Sequence, residues 1–156
     1  MSDELKTVSD VQQRLDGVRT VMVTSVNERG LLGSRPVTLQ EIDINGDVWF
    51  LVDAKAAWVG PIDAAPVNAS VADGDVWVSF AGRASVVRDQ TRIDQLTNRA
   101  TDAFFDKDSD PVALRVVSDQ IEWWTSDGSI STMLQVAKAA VTGGAAAAGS
   151  SGTIET

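Results

Sequence analysis

The chain contains no cysteine, no histidine and no tyrosine among its 156 residues. Without cysteine there can be no disulfide, thiolate nucleophile, zinc–thiolate site or iron–sulfur cluster. Without histidine there is no Ser-His or Cys-His relay and no imidazole ligand for haem or zinc; the usual proton shuttle near neutral pH is missing too. Positive charge is also scarce. Lys and Arg number 13 against 22 Asp and Glu, a net charge of -9, and the cations are not clustered, so nucleic acid is not an expected partner. No apolar run approaches the ~20 residues that cross a bilayer. The start, Met1-Ser2-Asp3-Glu4-Leu5-Lys6, lacks the basic residues and apolar stretch of a signal peptide. These absences point to a cytoplasmic protein without a membrane span, whose chemistry, if any, belongs to a bound cofactor.

What is present is ordinary for one domain: 44% of residues are hydrophobic, enough for a single core. Leu5, Val8, Val11 and Leu15 predict a short amphipathic helix over residues 2–16, with Ser9 and Asp10 as capping residues and Gly17 as its stop. Strands are expected at 18–26 and 31–39 around the turn Asn27-Glu28-Arg29-Gly30, then at 41–44 and 48–52 around Asn45-Gly46-Asp47. Ala-rich residues 53–65 read as a short helix interrupted by Gly60-Pro61. Strands follow at 67–72 and 76–87, the second with a bulge or close-packing point at Gly82. A helix is expected over 89–105, capped near Asp89 and burying Ile93, Leu96 and Ala100. A last hairpin, 112–117 with 120–125, precedes a turn at Ser126-Asp127-Gly128 and a helix at 132–141. Closely spaced strands with few helices argue for a closed or nearly closed antiparallel barrel, mainly β with flanking helices. The domain spans 1–143, and the Gly/Ala/Ser-rich 144–156 reads as a disordered tail.

Few residues invite chemistry. In Ser34-Arg35-Pro36, the arginine either grips a phosphate or carboxylate or is a surface residue on an edge strand. Gln40 either reads a heteroaromatic edge or faces water. The five tryptophans are first of all packing residues. Trp123-Trp124 differs, since neighbours on a strand face opposite sides: one fills the barrel, and the other lies against a loop, a partner or a flat ligand. Asp106, Asp108 and Asp110 lack the glycine and closing glutamate of a calcium loop and are read as a solvated acidic loop, with no metal.

Several stretches occur in an order that resembles a known family. They are Val21-Met22-Val23-Thr24-Ser25-Val26, Ser34-Arg35-Pro36-Val37-Thr38-Leu39-Gln40, Gly46-Asp47-Val48-Trp49-Phe50, Ser79-Phe80-Ala81-Gly82-Arg83, Ile121-Glu122-Trp123-Trp124 and Lys138-Ala139-Ala140-Val141-Thr142-Gly143. Together they are similar to the FMN-binding split-barrel family related to pyridoxamine-phosphate oxidase, in its general stress protein branch. The resemblance implies a six-stranded antiparallel split β-barrel that forms a homodimer and binds FMN in clefts between subunits. It implies that Ser34, Arg35, Pro36, Val37, Thr38 and Gln40 face the cofactor, with Trp124 as a flat-ligand contact. No catalytic residue is assigned.

One departure concerns the flavin phosphate. Where the family carries a Thr-Ser segment, then a Ser and a Lys, this chain has Val52, Asp53, Ala56 and Trp58. Each lost charge-assisted bond is worth about 1.5–3 kcal/mol; Lys55, about one helical turn before Trp58, is a candidate to restore one cation, with Arg35 as another. Thr97 is a second departure, from a tryptophan of the branch. Two readings stay open: a flavin-dependent oxidoreductase of unknown substrate, or a non-catalytic dimer with a degenerate phosphate site that has lost tight binding or accepts a flavin without the phosphate. A deazaflavin or haem in the same cleft is a third, weighed against by the negative charge and the missing histidine.

Overall fold

In the computed structural model, which describes residues 5–97, 106–126 and 150–156, the chain begins at the helix cap Thr7. Its hydroxyl accepts the amide of Asp10 at 3.1 Å, and the Asp10 carboxylate accepts the Thr7 amide at 3.0 Å. This reciprocal box satisfies two donors that a helix start leaves open, and it begins α1 (Val8–Arg14) later than the sequence pattern predicts. There follow β1 (Thr20–Val26), β2 (Leu32–Ile42), β3 (Val48–Asp53), β4 (Pro66–Asp73), β5 (Val76–Val87), α2 (Gln90–Thr97), β6 (Pro111–Thr125) and β7 (Ser150–Glu155).

The strands are antiparallel in the order β3-β2-β1-β4-β5-β6-β7. A further pairing of β3 with β6 closes the first six into a barrel and leaves β7 outside. This is the six-stranded antiparallel barrel expected from the sequence. Alternation fills it: Val21, Val23, Val37, Phe50, Ala69, Val71, Val78, Phe80, Leu114 and Ile121 point inward and are buried. A smaller cluster lies outside, where Ile93 and Leu96 of α2 cover Trp49, Leu51 and Ala113. Asp89 caps α2 by accepting the Thr91 amide at 3.1 Å, as its position predicts.

Gly82 sits at the register shift of β5 against β6, and a Cβ there would lie 1.8 Å from the Val117 carbonyl oxygen. The close-packing reading of this glycine is therefore correct. Four other expectations need correction. Residues 41–44 are not a separate strand, because β2 runs on to Ile42 through a shift between Leu39 and Glu41. A bulge lets one long strand bend from β1 to β3 without a turn. Residues 53–65 are turns plus a 3-10 segment at Gly60–Ile62, since Gly60-Pro61 and the Asp53 side chain, bonded to the Lys55 amide, favour turn geometry. The expected last hairpin is one continuous strand: β6 pairs with β5 along its length, with β3 over Pro111–Val116 and with β7 over Gln120–Thr125. Finally, residues 150–155 of the expected disordered tail form β7, whose backbone completes the free edge of β6. Gly152 lets that strand pass over the Trp123 indole, which a Cβ would meet at 2.6 Å. The expected 132–141 helix, the Ser126-Asp127-Gly128 turn beyond Ser126, residues 98–105 of the second helix and residues 144–149 of the tail lie outside the described residues.

Candidate functional site

Two strands build the main cleft by their alternation. On β2, Arg35 and Val37 pair with Val23 and Val21 and share the inner face, so Ser34, Pro36 and Thr38 face outward. On β3, Val48, Phe50 and Val52 enter the core, while Trp49, Leu51 and Asp53 face out. Where β2 passes beside β3, a cleft of about 260 Å³ opens, lined by Pro36, Val37, Thr38, Gln40, Leu51, Val52, Asp53, Ala56, Trp58 and Ser109. Gln40 is the residue at the β2 register shift, and such an extra residue re-aims a side chain. The wall is mostly apolar; Asp53 and Ser109 are polar but bonded within the chain, and the remaining polar points are Thr38 and Gln40. Among the described residues, neither spends its side chain on a hydrogen bond within the chain.

Trp58 is a wall of this cleft and of a second cavity, about 380 Å³, beneath the β1–β2 turn. The second cavity holds Arg35, whose guanidinium lies 4.6 Å from the Trp58 ring centre. Arg35 also donates to the Ser25 hydroxyl at 3.0 Å, to the Val23 carbonyl at 3.4 Å and to the Gly33 carbonyl at 3.3 Å. Both terminal nitrogens are engaged, and it lines the second cavity and not the main cleft.

The electrostatics of the main cleft are negative. The amides of Lys55, at 2.9 Å, and Asp110, at 3.1 Å, both donate to the Asp53 carboxylate and hold its pKa below the ordinary carboxylate value. Lys55 sends its ammonium to the Asp108 carbonyl. Ser109 donates to the Asp106 carboxylate at 3.1 Å, which also accepts the Asp108 amide at 2.9 Å. Asp106 thus organises its own loop, and no group of three or more acidic side chains gathers as a metal site among the described residues.

Of the residues singled out in the sequence, the fold brings Pro36, Val37, Thr38, Gln40, Val52 and Trp58 to one cleft. It leaves out four. Ser34 shares a 2.6 Å hydrogen bond with Thr24, Arg35 is turned inward, Lys55 is occupied by Asp108, and Trp124 lines neither cavity. Sequence reasoning missed Leu51, which the period-two pattern of β3 could have placed, and Ser109, for which no local signal exists. The Thr97 hydroxyl bonds back to the Ile93 carbonyl at 2.7 Å, inside its own helix.

Trp124 belongs to a different surface. Cα partners Pro36, Met22, Ser70, Ser79 and Glu122 run across β2, β1, β4, β5 and β6, all on the outer face. Beside that row, Trp77 pairs with Trp124, which is 42% exposed, as are Met22 at 39%, Val26 at 53% and Leu32 at 75%. Trp123 is buried in the barrel, so the pair faces two ways as its adjacency requires.

Comparison with known proteins gives a family-model match described as pyridoxamine 5'-phosphate oxidase like, over residues 6–146. No curated protein matches. Among solved structures, one from Jannaschia sp. CCS1 carrying the provisional name general stress protein 26 is 24% identical, with a TM-score of 0.64 over 93% of this chain and 95% of that one. A provisionally named general stress family protein of Xanthomonas campestris pv. campestris is 25% identical, with a TM-score of 0.64 over 81% and 94% of the two chains. The FAD binding protein from Mycobacterium smegmatis is 17% identical, with a TM-score of 0.57 over 79% and 95%.

Proposed function

The chain belongs to the pyridoxamine 5'-phosphate oxidase like family, and from that premise we propose that it is a homodimeric flavin-binding oxidoreductase whose β2–β3 cleft takes the flavin ring. The observation that carries this reading is the cleft itself: apolar walls from Pro36, Leu51, Val52 and the Trp58 indole, with the unengaged Thr38 and Gln40 side chains beside them. A planar heteroaromatic ring needs such a setting, with apolar surface for its faces and a few donors and acceptors for its edge. The ring end therefore fits FMN. The phosphate end does not, because no lining residue is cationic and Asp53 is anionic.

A bound flavin would supply the electron or hydride transfer that a chain without histidine and cysteine is poorly equipped to perform. The protein's share is placement: β2 fixes Pro36 and Thr38, the bulge aims Gln40, and the core behind Val37 and Val52 holds the cleft floor rigid. The cleft is open on one side, where a second wall from another copy has room to sit. Exposed Met22, Val26 and Leu32 on β1 and β2 give apolar surface for such a copy, and exposed Trp124 on β6 gives a separate one.

The test is a titration of purified protein with lumiflavin, the bare ring, followed by tryptophan and flavin fluorescence. Mutual quenching that saturates is expected, and Thr38→Trp, which fills the cleft from an outward position, should abolish it while leaving the far-UV dichroism unchanged. Unquenched fluorescence up to millimolar ring would remove the proposal.

A further inference from the structure

We infer that the cleft selects flavins without a phosphate, so that riboflavin and simpler isoalloxazines are its ligands and FMN is discriminated against. This rests on the ring-binding reading above and adds the ligand's chemical class. A phosphate monoester carries nearly two negative charges at neutral pH and needs charge-assisted donors to leave water. This chain's part of the cleft offers it none from a cationic side chain. It offers instead the Asp53 carboxylate, on the outer face of β3, with the Asp106, Asp108 and Asp110 loop adjoining through Ser109.

The cations nearby do not line the cleft. Lys55 is turned to the Asp108 carbonyl, and Arg88 stands 3.7 Å from the Asp110 carboxylate. Arg35 lies on the far side of the wall, with its flat face on the Trp58 indole and both terminal nitrogens donating to Ser25, Val23 and Gly33. From the main cleft, a phosphate reaching for it would have to pass the indole. Trp58 thus does two things at once: it presents an apolar wall to the ring and separates the ring from the nearest guanidinium. Ala56 beside it contributes a methyl group and no donor.

Isothermal titration of the full chain with riboflavin and with FMN, in parallel with lumiflavin, decides the matter. Riboflavin bound at least as tightly as FMN is the expected result, with FMN affinity rising as salt screens the repulsion and riboflavin affinity flat. FMN bound more tightly than riboflavin overturns the inference but leaves ring binding standing. Failure of all three to bind overturns the ring-binding reading and the inference with it. Variants sharpen the comparison. Asp53→Asn keeps an oxygen for the Lys55 and Asp110 amides and should raise FMN affinity about tenfold, on the scale of one carboxylate facing a nearly doubly charged phosphate some 6 Å away in water, with riboflavin unmoved. Ala56→Ser with Trp58→Lys should raise the FMN-to-riboflavin preference about a hundredfold, the scale of two restored donors. A preference that neither change moves would show that the phosphate lies elsewhere, against the inference.

Discussion

Gly82 shows how much a single hydrogen atom can decide. A methyl group there would overlap the Val117 carbonyl at 1.8 Å, and backbone on both β5 and β6 would have to move. Gly82→Ala should therefore cost about 3 kcal/mol or more, lowering Tm by roughly 6–12 °C for a domain of this size. Thermal melting checks it, and a shift under two degrees would mean that the β5–β6 bulge is more compliant than its geometry implies. Asp47 is the polar counterpart. It is 3% exposed and accepts from the Arg115 Nε at 2.8 Å and the Ser118 amide at 2.9 Å, with a further contact to the Arg115 Nη2. Asp47→Ala leaves those donors unpaired, and a loss of about 2–4 kcal/mol is expected in urea unfolding, below the full buried-pair figure because Arg115 is partly exposed. The sequence announced Gly82 by its place in a β-branched run. It marked Asp47 only as a turn residue, since its partners arrive from a strand far along the chain.

At the scale of elements, the start of α1 depends on a local device. Thr7→Ala removes one half of the capping box and should cost about 1 kcal/mol, or about 2–4 °C in Tm. The same box has a pH signature. The Thr7 hydroxyl and then the Thr7 and Lys6 amides hold the Asp10 carboxyl below its ordinary value, as the Lys55 and Asp110 amides do for Asp53. A lowered folded-state pKa stabilises above the unfolded value, and that contribution is lost as pH falls through the folded value. Amide exchange at Thr7 and Lys55, whose amides donate to the Asp10 and Asp53 carboxylates, should thus stay protected down to about pH 4 and open only in stronger acid. Opening already near pH 6 would show that these bonds are not carried by the ionised carboxylates. The strands β6 and β7 mark the limit of local reading. Composition makes the residues around Ser150 look unstructured, yet the upper half of β6 leaves an open edge once β3 ends, and an open edge takes a strand. Gly152→Val, which would press on the Trp123 indole, should detach β7 and raise amide exchange across Gln120–Thr125 while the β3–β6 pairing keeps its protection.

For the whole molecule, the prediction is an assembly. Met22, Val26 and Leu32 of β1 and β2, and separately Trp124 of β6, are exposed on the outer face among polar side chains, and no helix covers them among the described residues. Light scattering should give the mass of two chains. Met22→Glu together with Trp124→Glu should yield a monomer with the same far-UV dichroism and weaker lumiflavin binding, because the second wall of the cleft is lost. A monomeric parent protein would refute the homodimer and, with it, any role for Trp124 at the ligand.

By itself the sequence determined the class of fold and the poverty of its reactive groups. Period-two alternation with Asn-Gly and Asp-Gly turns fixes strands, faces and hairpins locally, and missing residue types exclude chemistry wherever the chain goes. It also placed Pro36, Thr38, Gln40 and Val52 near one another by way of resemblance. Only the tertiary structure decided which of the marked residues share a cleft. Whether Arg35 serves a ligand or an indole, where Lys55 sends its charge, and whether β6 is one strand or two depend on partners distant in sequence, and pairing between distant segments is set by the closing of the barrel, not by any local propensity.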